Sequence, residues 1–242
     1  MPKSLANGFE LPNGFDIVSY DKVNEQAAIL TGINNTGASW EQNSWFGYAS
    51  AWNGVAIRLR SAIEYDAEFG HHISISTAPE YEVLYAQERA LFDCITATLS
   101  CIECFYVATY CLGSVISPKN FPLQIPKDLN KYPHQVADSY HKWSSGDSFS
   151  QLLSTIANSK ECKALSELRN TLSHRGVLVR EVYLSTVSDT PANVPSNPKS
   201  LANDFNFDAP LSSQTTSVHV NWVSQTTSHL TTSLSQFLAL YT

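Results

Sequence analysis

Between Glu80 and Ser117 the chain sets apolar and small residues at steps of three and four without a break. Leu84, Gln87, Leu91, Cys94, Thr98, Cys101, Phe105, Ala108, Leu112 and Val115 fall on one face of an α-helix. Thr77-Ala78-Pro79-Glu80 supplies a start signal, a capping box with proline in the first turn, where its missing N–H costs little. Pro118 forces a stop by Ser117. The pattern predicts a helix of about 36 residues, roughly 54 Å long at 1.5 Å per residue. A helix that long must be the centre of a bundle, and a fold built around it is all-α.

The flanking sequence supplies its partners. Trp45, Ala49, Trp52, Ala56, Leu59 and Ile63 make a second helical face, with Gly70 as its expected stop. Four prolines between 117 and 147 exclude a regular helix across that stretch, apart from a short one near Asp138–Trp143. Ser148–Ala157 reads as a helix with Phe149, Leu152, Leu153 and Ile156 inward. A further helix begins at Ser159 or Lys160, carries Leu165, Leu168 and Leu172, and ends at Gly176. Val177–Leu184 reads as extended and 186–215 as a long exposed loop rich in Ser, Asn, Pro and Asp. Val223, Leu230, Leu234, Phe237 and Leu238 close the chain with an amphipathic helix. Residues 1–39, rich in Gly, Asn and Pro, read as an irregular arm, so the expected organisation is an arm over 1–39 and one helical-bundle domain over 40–242.

Charge bounds the function. A net charge of −7 opposes a protein that coats nucleic acid or anionic membrane over its whole surface. The charge is uneven. Residues 117–180 hold nine Lys/Arg against five Asp/Glu, +4, whereas the remainder holds six against seventeen, −11. A basic region on an acidic body suits a phosphate-bearing ligand, and it equally suits a solvated loop. Charged residues make up only 15% of a chain with 11 Tyr and 5 Trp, which implies extensive buried or partner-covered surface. The apolar run Cys94–Ile116 contains Glu103 near its middle and reads as a buried helix rather than a membrane span. The N-terminus shows no apolar signal core, and five cysteines, an odd number, suit a reducing cytoplasm better than a disulfide framework.

Cys101-Ile102-Glu103-Cys104 is a CxxC pair, extended by Cys94 and Cys111. All four fall on one stripe of one helix, whereas a tetrahedral metal site needs ligands from several directions. They read as core, and no metal or cofactor is expected. His71-His72 is expected in a turn after Gly70, without partners spaced for a metal site. Glu103, lone in an apolar stretch, either faces solvent or meets a cation, of which Arg169 is the leading candidate.

Arg169-Asn170-Thr171-Leu172-Ser173-His174 is the most informative segment. With Leu165, Leu168 and Leu172 inward, Asn170 and His174 share the opposite face, and Asn170 could hold the imidazole in one tautomer. Arg169 flanks the apolar stripe, about 140° from His174. The pair can converge if the last turn unwinds at Gly176, or across a dimer axis. The alternative is an arginine that caps a neighbouring helix and a histidine that is merely exposed.

Arg169-Asn170-xxx-His174 resembles the Arg-x4-His signature of the HEPN superfamily (higher eukaryotes and prokaryotes nucleotide-binding), which carries it near the end of a late helix in an all-α bundle. The likeness covers six residues of motif and a helical pattern over 80–185. It implies a bundle of four to five main helices, usually dimeric, with two motif copies at the interface. Many members are metal-independent endoribonucleases of toxin–antitoxin, defence or RNA-processing systems, and others have lost catalysis. The resemblance implies Arg169 and His174 as catalytic residues supported by Asn170 and Glu103, and Arg175 and Arg180 as RNA contacts. The partners it implies are a second copy, single-stranded RNA, and an antitoxin or other protein. One toxin subgroup has Tyr two residues after the His; Gly176 stands there, so that regulation does not carry over. A non-catalytic module that binds a partner protein or nucleotide is the rival expectation.

Overall fold

The computed structural model describes residues 12, 15–34, 44–74, 81–174 and 211–242. They form seven α-helices and one 3-10 turn, with no strand among the described residues. The helices are α1 Ile17–Asn34, α2 Ser44–Ser74, α3 Tyr81–Ile116, α4 Pro133–Ser144, α5 Ser148–Ala157, α6 Lys160–His174 and α7 Gln214–Leu238, with the 3-10 turn at Lys127–Asn130. Five of the seven have fifteen residues or more, and α3, at 36, is the longest. The bundle is the all-α architecture expected from the sequence, and α3 lies at its centre, touching α1, α2, α4, α6 and α7.

The α2–α3 hairpin is the spine. Gly47 faces Cys111, Gly54 faces Cys104, Cys101 Sγ donates to Val55 O at 3.4 Å and Cys94 Sγ to Ala62 O at 3.5 Å. These pairs fix an antiparallel register in which the cysteine stripe of α3 is its seam with α2. A Cβ on Gly54 would come within 2.7 Å of Cys104 Sγ, and one on Gly47 within 2.8 Å of Cys111 Sγ. Glycine in mid-helix costs about 0.5–1 kcal/mol relative to alanine. Close approach of the two helices is what these two positions gain. By length and composition α3 could cross a membrane, yet 78% of its apolar window is buried inside the bundle.

The large aromatic content is spent on the core. Trp52, Tyr48, Tyr106, Tyr110 and Tyr140 are fully buried. Four tyrosine hydroxyls tie elements together by donating to backbone carbonyls. Tyr20 reaches Trp52 O at 3.0 Å, Tyr106 reaches Leu153 O at 2.7 Å, Tyr110 reaches Pro122 O at 2.7 Å and Tyr140 reaches Thr109 O at 2.9 Å. A buried hydroxyl without such a partner would destabilise the core.

The irregular arm expected over 1–39 needs correction over 17–34, which are helical. Asp16 caps α1 by accepting the Ser19 N–H at 3.0 Å. Tyr20, Val23, Ala27 and Leu30 then enter the same core as the other helices, and Tyr20 stacks on Trp52 at 4.7 Å. The boundary between 39 and 40 is therefore not a domain boundary. Gly70 does not stop α2 either. The helix runs on to Ser74, so His71 and His72 lie in its last turn instead of in a loop. At the other end, α7 begins at Gln214, inside the stretch expected to be loop. The Thr77–Glu80 capping box, Gly176 and the extended 177–184 segment lie outside the described residues.

Candidate functional site

Helix α6 starts where Ser159 Oγ accepts the Cys162 N–H at 3.1 Å, the N-cap that the Ser159-Lys160 start implied. Leu165 and Leu168 are buried and Leu172 packs partly buried on the core, so the expected apolar stripe seats α6 against α3. Thr171 is half-buried, whereas Lys163, Glu167, Asn170 and Ser173 face outward.

That seating turns Arg169 toward α3. Its Nη2 lies 3.8 Å from Glu103 Oε1, with the two side chains 30% and 28% exposed. The pairing expected of a lone carboxylate in an apolar helix is thus present, and the solvent-facing alternative for Glu103 is set aside. Burial pushes the Glu103 carboxyl above its ordinary range, and the Arg169 charge offsets this only in part. Separation by 3.8 Å is an ion pair without a hydrogen bond. Arg169 Nε is itself buried with no hydrogen-bond partner among the described residues. A guanidinium has five N–H donors, so Glu103 orients this one without saturating it. Cys162, buried seven residues earlier on α6, has its thiol pushed up by burial and further by the Glu103 charge.

Asn170 is exposed, on the face expected for it. The backbone of α6 is helical through His174, so its last turn does not unwind before that residue. The side chain of His174, together with Arg175 and Arg180, lies outside the described residues. The structure therefore brings Arg169 and Glu103 together and leaves Asn170 on a different side of the same helix.

The other chemistry-bearing groups resolve into structure. Cys94, Cys101 and Cys111 are buried, and burial pushes each thiol up to about 12, far from a thiolate at neutral pH. Glu68 on α2 pairs with Arg89 on α3 and lies 3.8 Å from His72 Nε2, while Gln87 Nε2 donates to His72 O at 2.8 Å. These contacts clasp the C-terminal end of α2 to the N-terminal end of α3. Among the described residues no three His, Cys, Asp or Glu side chains converge as a metal site would require.

Sequence reasoning missed the outward aromatic face at the start of α3. Tyr81, Tyr85 and Phe92 are 90%, 63% and 38% exposed. Their spacing of four and seven is a helical period, but on a mostly apolar helix that period does not by itself tell an outward face from an inward one. No known family profile, curated protein or solved structure matches the chain.

Proposed function

We propose that the chain is a metal-independent endoribonuclease of the HEPN type that cleaves single-stranded RNA as a homodimer. The observation that carries the reading is the half-exposed guanidinium of Arg169, oriented by Glu103 yet left with spare donors, five residues before His174. A planar guanidinium can take charge growing on two phosphoryl oxygens at once. Histidine suits the proton transfers because its ordinary pKa is near neutrality. The 2′-oxygen attacks the adjacent phosphorus as its proton passes to the imidazole. The P–O5′ bond breaks, and the imidazolium protonates the leaving 5′-oxygen. The products are a 2′,3′-cyclic phosphate and a 5′-hydroxyl. A regular α6 through His174 keeps Arg169 and His174 about 140° apart on one helix, so the second copy is assigned the task of completing each cleft.

The test uses end-labelled single-stranded RNA and the purified chain. His174→Ala is expected to lose about 10²–10⁴-fold in cleavage rate with an unchanged melting temperature, and chelator is expected to change nothing. Survival of cleavage in His174→Ala would refute the site, and loss with chelator would refute the mechanism.

One observation favours a second reading, a non-catalytic helical module that binds a partner protein or nucleotide. Glu103 already places a carboxylate against the guanidinium that a phosphate would need. Wild-type protein that leaves varied RNAs intact, with or without metal, would hand the assignment to that module.

A further inference from the structure

The end of the bundle where α2 finishes and α3 begins carries a surface that the ribonuclease reading does not use. Tyr81, Tyr85 and Phe92 stand outward on α3. At 100° and 1.5 Å per residue they lie within about 40° of one another and span about 16 Å along the axis. Val218, 61% exposed, stands near the start of α7, which Thr216 ties to this end by donating to Asp66 Oδ1 at 2.5 Å. The same end is acidic. Residues 60–74 and 81–93 hold Glu64, Asp66, Glu68, Glu82, Glu88 and Asp93 against only Arg60 and Arg89, with no lysine, a net −4. The 117–180 region, at +4, carries the opposite sign.

We propose that this face docks a basic amphipathic helix of a partner protein, its apolar side against Tyr85 and Phe92 and its Lys/Arg flanks over the acidic rim. Three outward aromatics at helical spacing match the anchor spacing of a helix of about three turns. Tyrosine faces attract ammonium and guanidinium groups, and the acidic rim steers a cationic partner while repelling an anionic lipid surface or nucleic acid. Charge complementarity thus selects the occupant that the aromatic face alone would leave open.

The test titrates full-length protein with a synthetic 18-residue leucine–lysine amphipathic peptide, using as control the leucine–glutamate peptide of the same pattern. The lysine peptide is expected to bind at low salt and weaken as salt rises, and the glutamate peptide is expected not to bind. Tyr85→Ser with Phe92→Ser is expected to weaken binding about tenfold. Both positions are exposed, and circular dichroism and melting confirm that the variant folds. Glu82→Lys leaves the aromatics in place and is expected to weaken binding and flatten its salt dependence. Equal binding of the glutamate peptide, or unchanged binding by both variants, would overturn the proposal. So would a wild-type dimer that the serine variant converts to monomer, which would make a second copy the occupant. Ribonuclease activity plays no part in these readouts, so failure here leaves the cleavage assignment untouched, and the reverse also holds.

Discussion

Helix α3 meets α2 on one side and α6 on another, and the two contacts are built on different physics. Against α2 it presents thiols to glycines and backbone carbonyls, a seam closed by shape. Against α6 it presents Glu103 to Arg169, an ion pair about a third open to solvent within a leucine contact. A seam closed by shape tolerates neither added nor lost volume, because buried atoms have no alternative neighbours. A half-exposed ion pair contributes little stability, because water competes for both charges. Stability should therefore concentrate in the first contact and chemistry in the second.

The largest effect expected is at the seam. Trp52 is buried among Tyr20, Tyr48 and Phe105, with ring centroids 4.7, 5.7 and 5.8 Å away. Trp52→Ala should cost about 3–5 kcal/mol in urea unfolding. Gly54→Val should cost about 1–3 kcal/mol by overpacking, since Cys104 Sγ occupies the space that the new Cβ needs. Adding Cys104→Ala should recover part of that loss. Two substitutions that simply add would show that the contact is not where the cost arises.

How much of this was legible depends on how strongly each segment separates its faces. The bounds of α3 follow from a long apolar period and a proline stop, and those of the shorter α5 from a clean apolar period. Helix α1 was obscured although Asp16 is a good cap and Tyr20, Val23, Ala27 and Leu30 keep a helical period. Its buried face includes Gln26 and Thr31, and its outer face includes Val18 and Ile29, so the contrast between faces nearly vanishes. Gln26 is tolerated inside because its Nε2 donates to Ser235 O at 3.1 Å, a partner 209 residues away that no local pattern reveals. At the candidate site, the Glu103–Arg169 pair was readable because an ionised carboxylate in an apolar helix demands a cation. The outer aromatic face of α3 is not legible locally, since only the packed helices show which side of a mostly apolar helix stays exposed among the described residues.

The α3–α6 contact should behave in the opposite way from the seam. Arg169→Ala is expected to cost under about 1 kcal/mol in the same urea assay, while cleavage falls as far as in His174→Ala. A stability loss as large as that of Gly54→Val would show that the guanidinium is a structural strut, and the two contacts would then be alike.

The smallest effect is the most specific to Glu103. Its carboxyl is pushed up chiefly by burial, so the folded chain holds that proton more tightly than the unfolded chain does. Stability depends on pH through the difference in bound protons, and here the folded state binds more. The Glu103 contribution is therefore fully present below the ordinary carboxylate pKa. It is lost as pH rises from there through the raised value, and is flat beyond. Glu103→Gln keeps the shape and an oxygen for Arg169 but has no proton to release. Across that acidic window the variant should lack a small decline of stability with rising pH that the wild type shows, and at neutral pH it should be at least as stable as the wild type. Parallel urea melts of the two proteins from pH 4 to pH 7 measure the difference directly. A wild type that instead gains stability over the variant as pH rises would mean that Arg169 outweighs burial at Glu103. The contact would then be held by charge after all, and the contrast with the seam would narrow to a difference of kind without a difference of strength.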